Sequence, residues 1–263
     1  MEQTREVPAA TPRAAGRRPA WLVPGGLILL LAFLTANVLA NGPLVAVDRR
    51  VRSAVHAQAT SAAWRWLASG RFAPAQLVTD LGSVKIAGPV LAACAIAVAV
   101  RHRSVRPLLV AAAGGVLLAA TDIPAKILIG RPGPGYTSLA PGAWGDFPSG
   151  HASTSGVCYG LAALLLTAGP QALPWRGRLS GTAPRRAAVA VTVAICFLVG
   201  VALVWCDYHW LTDVVAGWTL AALIVWIVWR AQRLWPGGRQ LRNTGHGEPD
   251  TALTGHSAKE HDG

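Results

Sequence analysis

The chain has 263 residues, 52% hydrophobic and 14% charged, and its 24 Lys and Arg against 12 Asp and Glu leave a formal net charge of +12. Apolar content this high, with a mean hydropathy of +0.40, excludes a chain disordered throughout and points to lipid as its main solvent. Four scattered cysteines, Cys94, Cys158, Cys196 and Cys206, exclude a disulfide scaffold and a C-x-x-C metal site. Long stretches without Lys or Arg exclude a nucleic-acid-binding face.

Crossing the hydrocarbon takes about 20 mostly apolar residues in helical form, because unpaired backbone groups in lipid cost several kcal/mol each. Six segments meet that requirement, at about 21–40, 83–100, 107–129, 152–169, 187–205 and 210–229. The expectation is an all-α polytopic membrane protein, a six-transmembrane-helix bundle occupying residues 20–230. Polar tails at 1–19 and 231–263 flank it and are expected to be disordered. The first apolar run exceeds a usual signal-peptide core, so it is read as an uncleaved span.

Arginine placement sets the orientation. Arg5, Arg13, Arg17 and Arg18, then Arg101, Arg103 and Arg106, then Arg176, Arg178, Arg185 and Arg186, then Arg230, Arg233, Arg239 and Arg242 fall on one side. The other side holds Arg49, Arg50, Arg52, Arg65, Arg71 and Arg131. Both termini are therefore expected in the cytoplasm. Trp21, Trp175, Trp226 and Trp229 fall near the inner interface and Trp144, Trp205 and Trp210 near the outer one, as aromatic belts do. In the first connection Val47, Val51 and Val55 recur at helical spacing opposite Arg49, Arg50 and Arg52. That pattern suits a short helix lying on the outer leaflet or a solvated loop helix.

Ionisable residues within or at the ends of spans are functional candidates because burying them in lipid is costly. Asp122 and Lys126 stand four apart near the end of the third span, Ser149, Gly150 and His151 precede the fourth, and His209 and Asp213 open the sixth. Alternating direction places all three clusters at the outer face.

The stretch from Lys126 to Arg131-Pro132, then Pro148-Ser149-Gly150-His151, then His209-Trp-Leu-Thr-Asp213, resembles the three-part signature of the membrane-bound type-2 phosphatidate phosphatases, relatives of vanadium haloperoxidases and bacterial acid phosphatases. The resemblance implies hydrolysis of a lipid phosphate or diphosphate without metal or other cofactor. Its candidate substrates are phosphatidate, phosphatidylglycerol phosphate and polyprenyl diphosphates, their tails remaining among membrane lipids. His209 would be the nucleophile, forming a phosphohistidine, and Asp213 would fix its tautomer. His151 would protonate the leaving group. Ser149 and Gly150 would offer helix N-terminal N–H groups to the phosphate, and Lys126 and Arg131 would supply positive charge. Bland readings stand beside these: Ser149 as an ordinary N-cap, Lys126 as a snorkelling partner of Asp122, and Asp213 as a cap of the last span.

Two arginines of the family pattern are missing. Gly133-Pro134 stands where Arg-Pro would follow the lysine, and Ala202-Leu203 where Ser-Arg would precede the nucleophilic histidine. Uncompensated, two charge-assisted bonds amount to roughly two to four orders of magnitude in binding. Arg131 is the candidate replacement. A non-catalytic lipid-phosphate binding or transport protein is the alternative function, and vanadate-dependent halide oxidation a more distant one.

Overall fold

A computed structural model describes residues 21–57, 74–167 and 182–234, and among these every regular element is a helix. A helix stands at each of the six expected spans, as α1 (Leu22–Leu39), α4 (Val84–His102), α5 (Arg106–Ile129), α6 (Gly150–Thr167), α7 (Thr182–Trp205) and α8 (Leu211–Leu234). The expected helix of the first connection is α2 (Pro43–Ala57), and a short helix that the sequence reading did not anticipate, α3 (Pro74–Asp80), precedes α4. The last helix continues past residue 230, where a tail is expected to begin. Arg233 lies 4.1 Å from the Trp229 ring, a cation–π contact that favours another helical turn. Residues 1–20 and 235–263, and with them nearly all of both expected tails, lie outside the described residues. So do Arg65, Arg71, Trp175, Arg176 and Arg178.

Five of the helices are long and apolar enough to span a bilayer, α1, α4, α5, α7 and α8. The exception is α6, expected as the fourth span, whose first half reads Gly-His-Ala-Ser-Thr-Ser-Gly. Position explains its composition. Helix α6 is the central post, packed on α4, α5, α7 and α8, so its surface meets protein on most sides and need not match lipid. Leu161 and Leu165 lie fully buried in the main core with Val157, Leu91, Leu220 and Ile224.

Small residues bring the neighbours close, as packing in membranes requires. A Cβ added at Gly217 of α8 would stand 2.7 Å from the Ser149 carbonyl oxygen and 2.9 Å from the Ala152 Cβ. Because one of these is backbone, the two helices would have to part. Gly217→Ala is expected to lower stability by about 1–3 kcal/mol, read as a fall in Tm of the detergent-solubilised protein; an unchanged Tm would refute the close packing.

Helix α1 joins the bundle through α8 and α2. Its Leu34 and Val38 pack with Phe147, the residue preceding the Pro-Ser-Gly-His turn, and with Ala216 of α8. Helix α5 ends where Gly130 adopts φ +58°, a left-handed conformation costly for other residues, with its N–H on the Lys126 carbonyl.

Candidate active site

The three sequence clusters meet at one end of the bundle. Each comes from a helix terminus there: Lys126 from the last turn of α5, Ser149 to His151 from the start of α6, and His209 and Asp213 from the start of α8. The Ser149 N–H donates to the Asp213 carbonyl at 2.9 Å, tying the second cluster to the third. The Lys126 Nζ donates to the Pro148 carbonyl at 2.6 Å, tying the first to the second.

The local chemistry of each helix start shows which polar groups are already engaged. Ser149 is fully buried; its Oγ accepts from the Ala152 N–H at 3.4 Å, and its carbonyl oxygen accepts from the Ser153 N–H at 3.0 Å. Ser149 is therefore the N-cap of α6, its side chain occupied within the protein. The N–H groups of Gly150 and His151, the remaining donors of that first turn, are the ones suited to an anion. A side chain at Gly150 would point at Lys126, whose Cε and Nζ lie 3.6 and 3.7 Å from a Cβ built there. The lysine thus stands over the opening of α6.

Lys126 pairs with Asp122 without being used up by it. Its ammonium lies 3.9 Å from Asp122, which also accepts from the Ser153 hydroxyl at 3.1 Å. An ammonium has three donors, so contacts with Pro148 and Asp122 leave capacity for a ligand.

Asp213 is wholly buried, and its oxygens divide their work. Oδ2 accepts from the Trp210 N–H at 3.1 Å, as an acidic residue at the third helical position does in a capping box. Oδ1 accepts from Arg131 Nη1 at 2.5 Å. His209, 9% exposed, turns Nδ1 toward Asp213 at 3.6 Å, and that buried nitrogen has no hydrogen-bond partner among the described residues. The ring's opposite nitrogen, Nε2, is left for the site. Contacts of this kind are commonly long without substrate and tighten once it binds.

Arg131 stands differently from expectation. Its guanidinium, 8% exposed, donates through Nη1 to Thr212 at 2.7 Å and to Asp213, and through Nη2 to Asp48 at 2.7 Å. The donors expected on a phosphate are engaged by carboxylates. Asp48, on α2, also accepts from the Thr212 N–H at 3.0 Å and its hydroxyl at 2.6 Å. A buried chain of bonds thereby runs from α2 through Arg131 to Asp213, and His209 Nδ1 stands 3.6 Å beyond its end. Trp210, expected in the outer aromatic belt, is half-buried, with Arg131 5.3 Å and Arg52 5.8 Å from its ring and its Nε1–H donating to Pro132. It braces both arginines.

Asp48, Thr212 and Asp146 were not singled out in the sequence. Asp48 is the one carboxylate in the α2 sequence, set among arginines on an otherwise amphipathic helix, and that isolation was the available signal. Asp146 lies beside the clusters, its carboxyl within electrostatic reach of His209, Asp213, Lys126 and Arg131. A Cβ at Gly133 would overlap its Oδ2. At the position where the family pattern has its first arginine, any side chain would have to displace this carboxylate. At the second, Ala202 and Leu203 are buried, Leu203 packing with Val199, Val214 and Ala152.

Fold and site together define a class: multi-pass helical membrane proteins with a histidine–aspartate pair, a helix N-terminus and a lysine converging at one end of the bundle. The PAP2 superfamily model matches residues 104–235, and the chain belongs to that family. Among solved structures, the chain is similar to a transmembrane PAP2 type phosphatidylglycerolphosphate phosphatase from Bacillus subtilis, with a TM-score of 0.63 at 21% identity over 81% of this chain and 98% of that one. At that identity the likeness is one of fold. No curated protein matches.

Proposed function

We propose that the protein is a lipid phosphate phosphatase acting through a phosphohistidine. The observation carrying this reading is His209 with its Nδ1 beside the buried Asp213 carboxylate, which leaves Nε2 as the attacking nitrogen, at the end of the bundle that also holds Lys126 and the start of α6. His209 Nε2 attacks phosphorus as the bond to the leaving oxygen breaks, and His151 gives that oxygen a proton, yielding the free alcohol or, from a diphosphate, the monophosphate. Water, losing a proton to His151, then displaces the histidine. Inorganic phosphate leaves and both histidines are restored. Asp213 stabilises the positive charge on His209 during attack, while Lys126 and the N–H groups of Gly150 and His151 hold the equatorial oxygens. Arg131, joined to Asp213, acts by holding that carboxylate in place.

The site is proposed to open at the outer leaflet, with both termini cytoplasmic. Arg101, Arg103 and Arg106 lie around the α4–α5 turn, the far end of α5 from Lys126, and Arg230 and Arg233 stack on Trp226 and Trp229 at the far end of α8 from His209. These placements support the arginine and aromatic signals. Phosphatidate, phosphatidylglycerol phosphate and polyprenyl diphosphates are the candidate substrates, because their tails can stay in lipid while the phosphate meets Lys126.

Leaving-group dependence tests the role of His151. His151→Gln is expected to slow release of the alcohol from an alkyl phosphate in a single turnover, before water attacks, by about 10²–10⁴ and to affect release of p-nitrophenol from p-nitrophenyl phosphate, a leaving group that needs no proton, far less. Equal losses on both substrates would remove His151 from the acid role.

A non-catalytic lipid-phosphate binding protein is the second reading, favoured by the engagement of Arg131 and by Asp146 occupying the space over Gly133. Phosphate release from a panel of lipid phosphates by the purified protein decides between them: binding without release favours the second.

A further inference from the structure

The Asp146 carboxyl has no part in the steps above, yet it lies within electrostatic reach of the groups that perform them. It stands in the loop between α5 and α6, where its N–H donates to the Arg131 carbonyl at 2.8 Å and holds that stretch against the start of the loop. Its Oδ2 rests over Gly133, in space that any side chain at that position would need. A Cβ built at Gly133 would also stand 3.7 Å from the Tyr208 carbonyl oxygen, one residue before His209, and within electrostatic reach of Asp146 are His209, Asp213 on α8, Lys126 on α5 and Arg131 in the same loop; Asp122 on α5 and Asp48 on α2 pair with Lys126 and Arg131. Among the described residues its carboxyl oxygens accept no hydrogen bond and form no ion pair.

The charge balance makes this position consequential. Arg131 already neutralises part of the charge of Asp48 and Asp213, and Lys126 that of Asp122. A phosphate held by Lys126 would meet an ionised Asp146 as a nearby like charge, worth about a tenfold loss of affinity. In neutral form the same group becomes an O–H donor.

Resting on the phosphatase reading, we propose that Asp146 contacts the substrate: as a neutral carboxyl it donates its O–H to a phosphoryl oxygen, and as a carboxylate it repels the phosphate. No covalent bond forms or breaks at Asp146, and the proton remains on its oxygen. Burial, the largest influence, pushes the Asp146 carboxyl above the usual carboxylate range; Asp213 adds to this, while His209, Lys126 and Arg131 oppose it. The donor is therefore present at pH values below this raised ionisation, and affinity falls as pH rises through it.

The test compares wild type, Asp146→Asn and Asp146→Ala in detergent, with inorganic phosphate binding by calorimetry and phosphate release from phosphatidate measured from pH 4.5 to 8.5. Taking variant-to-wild-type ratios cancels the ionisation of phosphate itself and of the histidines. Asp146→Asn, which keeps a donor and never ionises, is expected to bind like wild type at the acid end and at least about tenfold more tightly at the alkaline end. Asp146→Ala is expected to bind more weakly than wild type at the acid end and more tightly at the alkaline end. Ratios that do not change with pH overturn the proposal. Should the binding ratios change as expected while wild type releases no phosphate at any pH, the contact stands and the phosphatase reading falls.

Discussion

Replacing His209 with alanine is expected to lower phosphate release by three orders of magnitude or more, because the variant has no atom to form the covalent intermediate. Lys126 and the N–H groups of Gly150 and His151 would remain, so substrate should still bind. The expected signature is a collapse of kcat with KM changed little. A second readout is chemical: wild type quenched in alkali during turnover of a ³²P-labelled lipid phosphate should carry acid-labile label, and His209→Ala none. Release at the wild-type rate by His209→Ala would remove the nucleophile assignment. Label retained by His209→Ala would place the covalent bond elsewhere.

The second large effect is on stability. Arg131→Ala is expected to cost about 3–5 kcal/mol, the range for breaking a buried ion pair by removing one partner. Two carboxylates, Asp48 and Asp213, both fully or nearly fully buried, would lose their shared cation, and Thr212 would lose a donor. Arg131→Lys should recover only part of this, since one ammonium cannot reproduce the fork that reaches Thr212, Asp213 and Asp48 together. Thermal unfolding in detergent reads the difference. A Tm within a degree or two of wild type for Arg131→Ala would show that the network carries little stability. The same variant separates two roles for this arginine. A residue that binds phosphate directly would, when lost, raise KM with folding intact, whereas one that holds Asp213 should lower Tm and kcat together.

The departures from the family pattern acquire a structural meaning. Arg131 was the candidate to replace a missing arginine, and its engagement with Asp48 and Asp213 leaves that substitution without support from the geometry. At Gly133 the space is taken by an acid, and at Leu203 by apolar packing against α6 and α8. Restoring an arginine at either place would require other side chains to move. A site with so few available cations depends more heavily on Lys126, on the start of α6 and, in the proposal above, on the protonation of Asp146.

The helices were legible because their signal is local. Runs of apolar residues about a membrane thickness long define α1, α4, α5, α7 and α8 without reference to anything else in the chain. The valine spacing of α2 worked in the same way, while the seven residues of α3 are too few to display a period. Helix α6 was found as a helix, yet its central place was not legible: a mixed polar and apolar surface becomes meaningful only once four helices surround it. The contacts of Trp210 were hidden for a related reason. A tryptophan at the end of a span is expected in the interface, and nothing local shows that Arg131 and Arg52 approach its ring from elsewhere in the chain.

The sequence by itself determined the solvent, the five apolar spans and the three clusters gathered at one end, since hydrophobic length, alternation of direction and i,i+4 spacing are all properties of short windows. Only the tertiary structure decided the partners. Asp48 meets Arg131 across 83 positions and Thr212 across 164, and Asp146 closes over a glycine from the opposite end of its loop. No periodicity links residues so far apart. A buried charge must find a countercharge because leaving it alone is so costly, but which one it finds depends on how the helices pack.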